Sequence, residues 1–164
     1  MDSNLMSDLK AASRRTEFLS VRLGGQEYAI DICSIREIRG WIASTYLPFA
    51  PDYIKGMINL RGSILVVVDL ARRLGFAKTE PNSASVVVVV ESAGRSLGLL
   101  VDAVCDIINV TEDMRQTTPE TGSCVPKLYV DGVVMMESRI ISILSVAAVV
   151  PDEKIQQMAE QIAA

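Results

Sequence analysis

The sequence predicts a mainly β protein built from small antiparallel barrels. Three observations carry that prediction. Short apolar runs of period two recur along most of the chain, each bounded by glycine, proline or polar turn residues. β-Branched residues crowd these runs, most densely in the five valines Val86–Val90. No helical pattern of about 10–15 residues alternates with the strands, so a parallel sheet with crossover helices is not expected. About eight or nine short strands follow, with a few single-turn helices between them.

Taken in order, residues 1–16 are polar, with apolar points only at Leu5, Met6 and Leu9, and are expected to form a flexible tail. From Glu17, the set Phe18, Ser20, Arg22 alternates with Leu19, Val21, Leu23. After Gly24-Gly25 the alternation resumes through Tyr28, Ile30 and Ile32. This is a hairpin whose two-residue turn needs positive φ at both positions, which glycine supplies without steric cost. In "DICSIREIRG", Ile32, Ile35 and Ile38 recur every three residues, so a helical turn ended by Gly40 is expected. "LPFAP" is a turn region, and "DYIKGMINL" is expected to hold a brief helix or turn. Arg61 and Gly62 then interrupt an apolar stretch at the entrance to a strand, Ile64–Val68. Asp69 ends that strand and N-caps a short helix, with Gly75 closing it.

Val86–Val90 should be a buried strand, because an exposed edge of five valines would aggregate. Ser92–Gly94 turn the chain, and Asp102 separates two further strand-like segments, Leu97–Val101 and Val104–Val110. Two turns compete in "KLYVDGVVMMESRIISIL". Asp131-Gly132 would leave Val133–Met136 too short, so Glu137-Ser138 is preferred, with Gly132 inside or at a bend of the strand. Pro151 opens a C-terminal amphipathic helix, 151–164, with Ile155, Met158, Ala159 and Ile162 in one stripe. It lies beyond the last strand and is expected to be dispensable for the fold.

Composition narrows the function. The 164 residues make one ordinary domain, or two very small ones sharing a core. A net charge of −4 argues against nucleic acid, whose binding rests on cationic neutralisation of phosphate. Aromatic residues are only 5%, too few for a base-stacking groove. No histidine is present, which removes the commonest general base and metal ligand. Cys33, Cys105 and Cys124 form no CxxC pair and are expected to be buried free thiols in a reducing cytosol. No GxGxxG, GxxxxGK[ST] or GxSxG occurs. Asp69, Asp102, Asp106 and Asp131 show no oxygen-ligand spacing, and each is more simply a strand-end or turn residue. No catalytic residue, metal or cofactor is therefore expected. The N-terminus has no apolar signal segment and no run is long enough to span a bilayer, so a cytoplasmic protein without direct membrane insertion is expected.

What remains is interaction. "EIRG" (Glu37–Gly40), "NLRGSIL" (Asn59–Leu65), "VDL" (Val68–Leu70) and "GLLVDAVCDI" (Gly98–Ile107) coincide in order and spacing with one family. Over about residues 17–150 the sequence resembles the CheW-type chemotaxis coupling proteins. The resemblance implies two interleaved five-stranded β-barrels. One would be built from about residues 17–64 plus 138–150, the other from about 65–137. It implies a non-enzymatic adaptor that bridges the cytoplasmic tip of chemoreceptors (methyl-accepting proteins) to the regulatory domain of the histidine kinase CheA, in arrays at the inner face of the membrane. Its receptor face would comprise Ile35, Glu37, Ile38, Arg39, Asn59, Arg61 and Gly62, with Gly98, Val104 and Ile107 at further positions that affect coupling. Gly62 would let a backbone approach closely, and Arg61 would reach either a partner or an internal carboxylate, Glu37 or Asp69. Kinase contacts are not assigned. Two departures stand out: Val66 occupies a position where the family usually has proline, and Ser145 follows Leu144 where the family often has aspartate. The alternative from another class is a small-ligand-binding or enzymatic β-barrel that uses the groove between the barrels.

Overall fold

The computed structural model describes residues 16–116, 126–151 and 153–163. The expected tail, save Thr16, lies outside them, as does Cys124. Among the described residues the chain forms β1 (Thr16–Leu23), β2 (Gln26–Asp31), β3 (Ile35–Gly40), β4 (Ile54–Leu60), β5 (Ser63–Asp69), α1 (Leu70–Arg73), β6 (Val86–Ser92), β7 (Arg95–Val101), β8 (Ala103–Val110), β9 (Arg115–Gln116), β10 (Val130–Met136), β11 (Arg139–Leu144), α2 (Val146–Val149) and α3 (Glu153–Ala163). The mainly β prediction holds. The strands build a six-stranded sheet, β8-β1-β2-β11-β10-β9, and a five-stranded sheet, β3-β6-β7-β5-β4. These are open sheets and not the expected five-stranded barrels. In the second sheet β3 and β4 are the two outer strands, and Thr45, in the loop between them, exchanges backbone hydrogen bonds of 2.8 Å with Met57 of β4. The strands are also shared out differently from the expected subdomains. β3 and β4, placed in the first unit by sequence, belong to the second sheet, while β8 and β10 belong to the first.

The sheets pack face to face. Leu19, Val21 and Ile30 of the first meet Val68, Val88 and Val90 of the second in one continuous core. Each sheet's other face curls over a smaller core of its own: Phe18, Ala29, Ile108 and Ile141 in the first, Leu65, Val67, Val87 and Val89 in the second. Strands buried on both faces need apolar side chains at every position, which explains the unbroken valine run of β6. Each such side chain contributes about 1.5–3 kcal/mol on burial.

The Gly24-Gly25 hairpin forms as expected, with φ of +56° and +83° and Leu23 opposite Gln26. Glu137-Ser138 is likewise the β10–β11 turn, and Gly132 lies at a bulge. Asp69 caps α1, accepting from the Arg72 N–H at 3.3 Å, and its buried carboxylate also accepts from the Thr79 N–H and hydroxyl, both at 2.7 Å. Two expected helical turns are strands. Only Ile32–Ser34 is helical in the first, as a single 3-10 turn, and Ile35–Gly40 is β3. A bulge at Arg36 puts Ile35 and Ile38 on the same face, so a spacing of three arose from a strand. In the second, Gly56 sits at a bulge of β4, where an added Cβ would lie 2.5 Å from the Thr45 carbonyl oxygen. The thiols of Cys33 and Cys105 are exposed, contrary to the burial expected of them: Cys33 lies in the 3-10 turn after β2, and Cys105 on the edge strand β8.

The C-terminal helix is not an appendage. Ile155 and Ala159 of α3 are buried with Leu47, Met57 and Val66. Val66 thus helps seat the helix. Ser145 caps α2 by accepting from the Ala148 N–H at 3.3 Å. Arg73 and Arg95 donate to the carbonyls of Val149 and Pro151, both at 3.4 Å, and hold the lead into α3. The expectation that the helix is dispensable is therefore corrected. Ile155→Ala should lower the unfolding free energy by about 2–5 kcal/mol, as for other buried Ile truncations. Denaturant melts test this, and an unchanged midpoint would contradict the docking.

The first sheet's inner core ends in an ion-pair cluster. Arg139 donates to Glu27 at 2.5 and 3.2 Å and to Asp106 at 3.0 and 3.3 Å, and the Ser20 hydroxyl donates to Glu27 at 2.7 Å. The Arg139 hydrogen bond, aided by Ser20, holds the Glu27 carboxyl below its usual range. A lowered folded pKa stabilises above the ordinary glutamate value, and that contribution fades as pH falls through the lowered one. The stability gap between wild type and Glu27→Gln should therefore be full at neutral pH and close on acidification. A gap independent of pH, in melts across the acid range, would contradict the pairing.

Candidate functional site

Arg61 and Gly62 are the two central residues of the β4–β5 hairpin turn, with Leu60 opposite Ser63. Their φ values are +51° and +86°. The turn requires the left-handed region twice; Gly62 meets it freely, whereas Arg61 does so at roughly 1–2 kcal/mol. The Asn59 side chain offsets part of this by accepting from the Gly62 N–H at 2.9 Å. Arg61 therefore lies in a turn, where a strand entrance was expected. Gly62 meets the turn's φ, and an added Cβ there would meet nothing within 4 Å, so its backbone lies open to solvent.

The turn aims Arg61 across the end of the second sheet. Its guanidinium pairs with Glu37 Oε2 on β3, the opposite edge of the same sheet. Arg39 Nη1 lies 3.6 Å from the other Glu37 oxygen. Glu37 and Arg39 stand opposite Val89 and Val87, so they share the face of the sheet's inner core and cap its mouth. Arg36, at the bulge, pairs with Glu91. Three guanidiniums against two carboxylates leave this cluster with one net positive charge. Beside it opens a cleft of about 400 Å³, lined by Arg36, Glu37, Arg61, Ser63 and Ser96 above Leu65 and Val89. Asp69, the rival partner for Arg61, is engaged by Thr79 instead.

The remaining expected residues fall elsewhere. Ile35 and Ile38 stand opposite Val90 and Val88, on the other face of β3, toward the core between the sheets. Val104 and Ile107 stand opposite Val21 and Leu19, also toward that core, but on β8 of the other sheet. Ile35 and Val104 pack partly against it, while Ile38 and Ile107 are 46% and 57% exposed. Gly98 is buried in the second sheet, where its missing side chain makes room for Val87: an added Cβ would lie 2.6 Å from Val87 Cγ1. The structure thus gathers Glu37, Arg39, Asn59, Arg61 and Gly62 at one mouth and sets two solvent-facing isoleucines on two edge strands. Gly98, on β7, lies beneath the mouth, opposite Val89 and against Leu65 and Val87 of the inner core. Sequence reasoning missed Arg36, whose partner Glu91 is remote in sequence. It missed the turn as well, although a glycine between two alternating runs signalled it.

Residues 17–154 match the CheW-like domain, and the chain belongs to that family. A probable chemotaxis protein CheW of Rhizobium etli is 40% identical over 132 residues, covering 80% of this chain and 85% of the relative. The chemotaxis protein CheW of Rhizobium meliloti is 41% identical over 138 residues, covering 84% and 89%. The crystal structure of the scaffolding protein TtCheW of Thermoanaerobacter tengcongensis matches with a TM-score of 0.77 at 28% identity, covering 84% of this chain and 89% of that one.

The Arg61 side chain is 71% exposed and that of Glu37 25%, so their pair is a solvent-screened one. Arg61→Ala should accordingly change unfolding free energy by only about 0–1 kcal/mol. A loss of about 3–5 kcal/mol in denaturant melts, the mark of a broken buried pair, would instead make Arg61 a brace of the fold.

Proposed function

We propose that this chain is a non-enzymatic coupling adaptor of a chemotaxis array, joining chemoreceptor cytoplasmic tips to the regulatory domain of the histidine kinase CheA. The observation that carries it is the Arg61–Glu37 pair, held at an exposed sheet mouth by a strained turn in a chain of the CheW-like family. The receptor tip docks along β3, the β4–β5 turn and the exposed part of β8. It meets Glu37, Arg39 and Arg61 through polar contacts and Ile38 and Ile107 through apolar ones. Gly98 contributes through packing beneath Val87. The adaptor works at the inner face of the membrane; among the described residues no helix is long and apolar enough to cross a bilayer. The ligand-binding barrel is less favoured, because the relatives are named for chemotaxis and scaffolding.

Glu37→Lys should weaken binding of a receptor-tip fragment about tenfold or more, equivalent to about 1.4 kcal/mol. Binding of the kinase regulatory domain should change little. Separate titrations of the two partners decide this. Equal loss of both affinities would mean a wrong face or a misfolded variant. No binding of either partner by the wild-type chain would remove the adaptor reading.

A further inference from the structure

We infer that Arg139 is a positioning residue for docking: it fixes edge strand β8, with Val104 and Ile107, as Arg61 fixes edge strand β3, with Ile35 and Ile38. This rests on the adaptor reading above. Its basis is an internal repeat in the strand layout. The run β8-β1-β2-β11-β10 recurs, in order and pairing sense, as β3-β6-β7-β5-β4. In each, a hairpin pairs antiparallel with an edge strand on one side and parallel with a second hairpin on the other.

The registers correspond residue by residue. Val21, Leu19 and Phe18 of β1 match Val90, Val88 and Val87 of β6. Opposite them run Val104-Cys105-Asp106-Ile107 in β8 and Ile35-Arg36-Glu37-Ile38 in β3, each with one extra residue at the same point. Asp106 therefore corresponds to Glu37 and Ile107 to Ile38. The cations come from corresponding hairpins, Arg61 within the β4–β5 turn and Arg139 directly after the β10–β11 turn. Both reach the carboxylate on the bulged edge strand.

The physical need is the same in both places. A bulge disrupts the ladder locally, and an edge strand has a partner on one side only. A lateral ion pair from the second hairpin supplies the missing tie. Arg139 does so more firmly than Arg61, because Glu27 anchors it from β2 while Asp106 is held on the far side. The consequence is that Ile107, exposed next to the bulge, keeps a fixed place on the docking face.

The test pairs hydrogen exchange with receptor-dependent kinase activation. Arg139→Met should raise amide exchange about tenfold at residues 104–108, leave residues 37–40 as in wild type, and lower coupling about fivefold. Arg139→Lys should restore most of both, because it can still reach one carboxylate. Asp106→Asn, which leaves the Arg139–Glu27 bonds intact, should shift both readouts the same way by about two- to threefold, and it decides the matter if Arg139→Met does not fold. Wild-type coupling in these variants would overturn the inference, as would lost coupling with unchanged exchange at 104–108 or with exchange raised evenly throughout. Failure of the wild-type chain itself to couple would instead overturn the adaptor reading, while the exchange data, which need no partner, would still report on Arg139.

Discussion

Each sheet takes its outer strand from the other's hairpin, and the rest of the molecule depends on that exchange. The β1–β2 hairpin is followed within one 3-10 turn by β3, which crosses to pair with β6. The β6–β7 hairpin is followed after Asp102 alone by β8, which crosses back to pair with β1. Connections this short hold the two sheets against each other, so the core they share is also the core each sheet needs. Separation would expose the apolar faces of both and leave β3 and β8 without partners.

The crossing strands have to bend, and their bulges follow from this. A bulge turns a strand and re-aims its side chains. In β3 it sends Glu37 and Arg39 to the mouth of the inner core and Ile35 and Ile38 toward the core between the sheets. One short strand thereby serves two surfaces at once. The charged residues at the mouth sit where water screens them, so they add little to stability and are free to carry specificity. The stability resides elsewhere, in the shared core, in the clasp of Thr79 on Asp69, and in the seating of α3 on Leu47, Met57 and Val66.

Much of this was legible in the sequence because local rules and tertiary structure agree there. Gly24-Gly25 is a turn by its two glycines, Glu137-Ser138 follows from the strand length that Asp131-Gly132 would leave too short, Asp69 and Gly75 bracket a helix by capping chemistry, and the valines of β6 fit only a strand buried on both faces. The failures are equally local in cause. The bulges in β3 and β4 break the period of two, so Ile35 and Ile38 imitated a helix and Ile54–Leu60 did not declare itself a strand. Arg61 concealed a hairpin turn, because arginine seldom takes a positive φ. The docking of α3 depends on a groove that only the folded sheet creates. The charged cluster was half visible. The segment "EIRG" named Glu37 and Arg39, but their meeting with Arg61 joins two edges of one sheet, and no pattern within either segment states that.

The decisive measurement is amide chemical-shift mapping on the isotopically labelled chain during titration with a soluble receptor-tip hairpin. If β3, the β4–β5 turn and the bulge of β8 form one docking face, the perturbed amides will cluster at residues 35–40, 59–63 and 104–107. Perturbations confined to other surfaces, such as the 41–50 or 76–85 loops, would contradict that face, and a titration without any shift would contradict receptor docking itself.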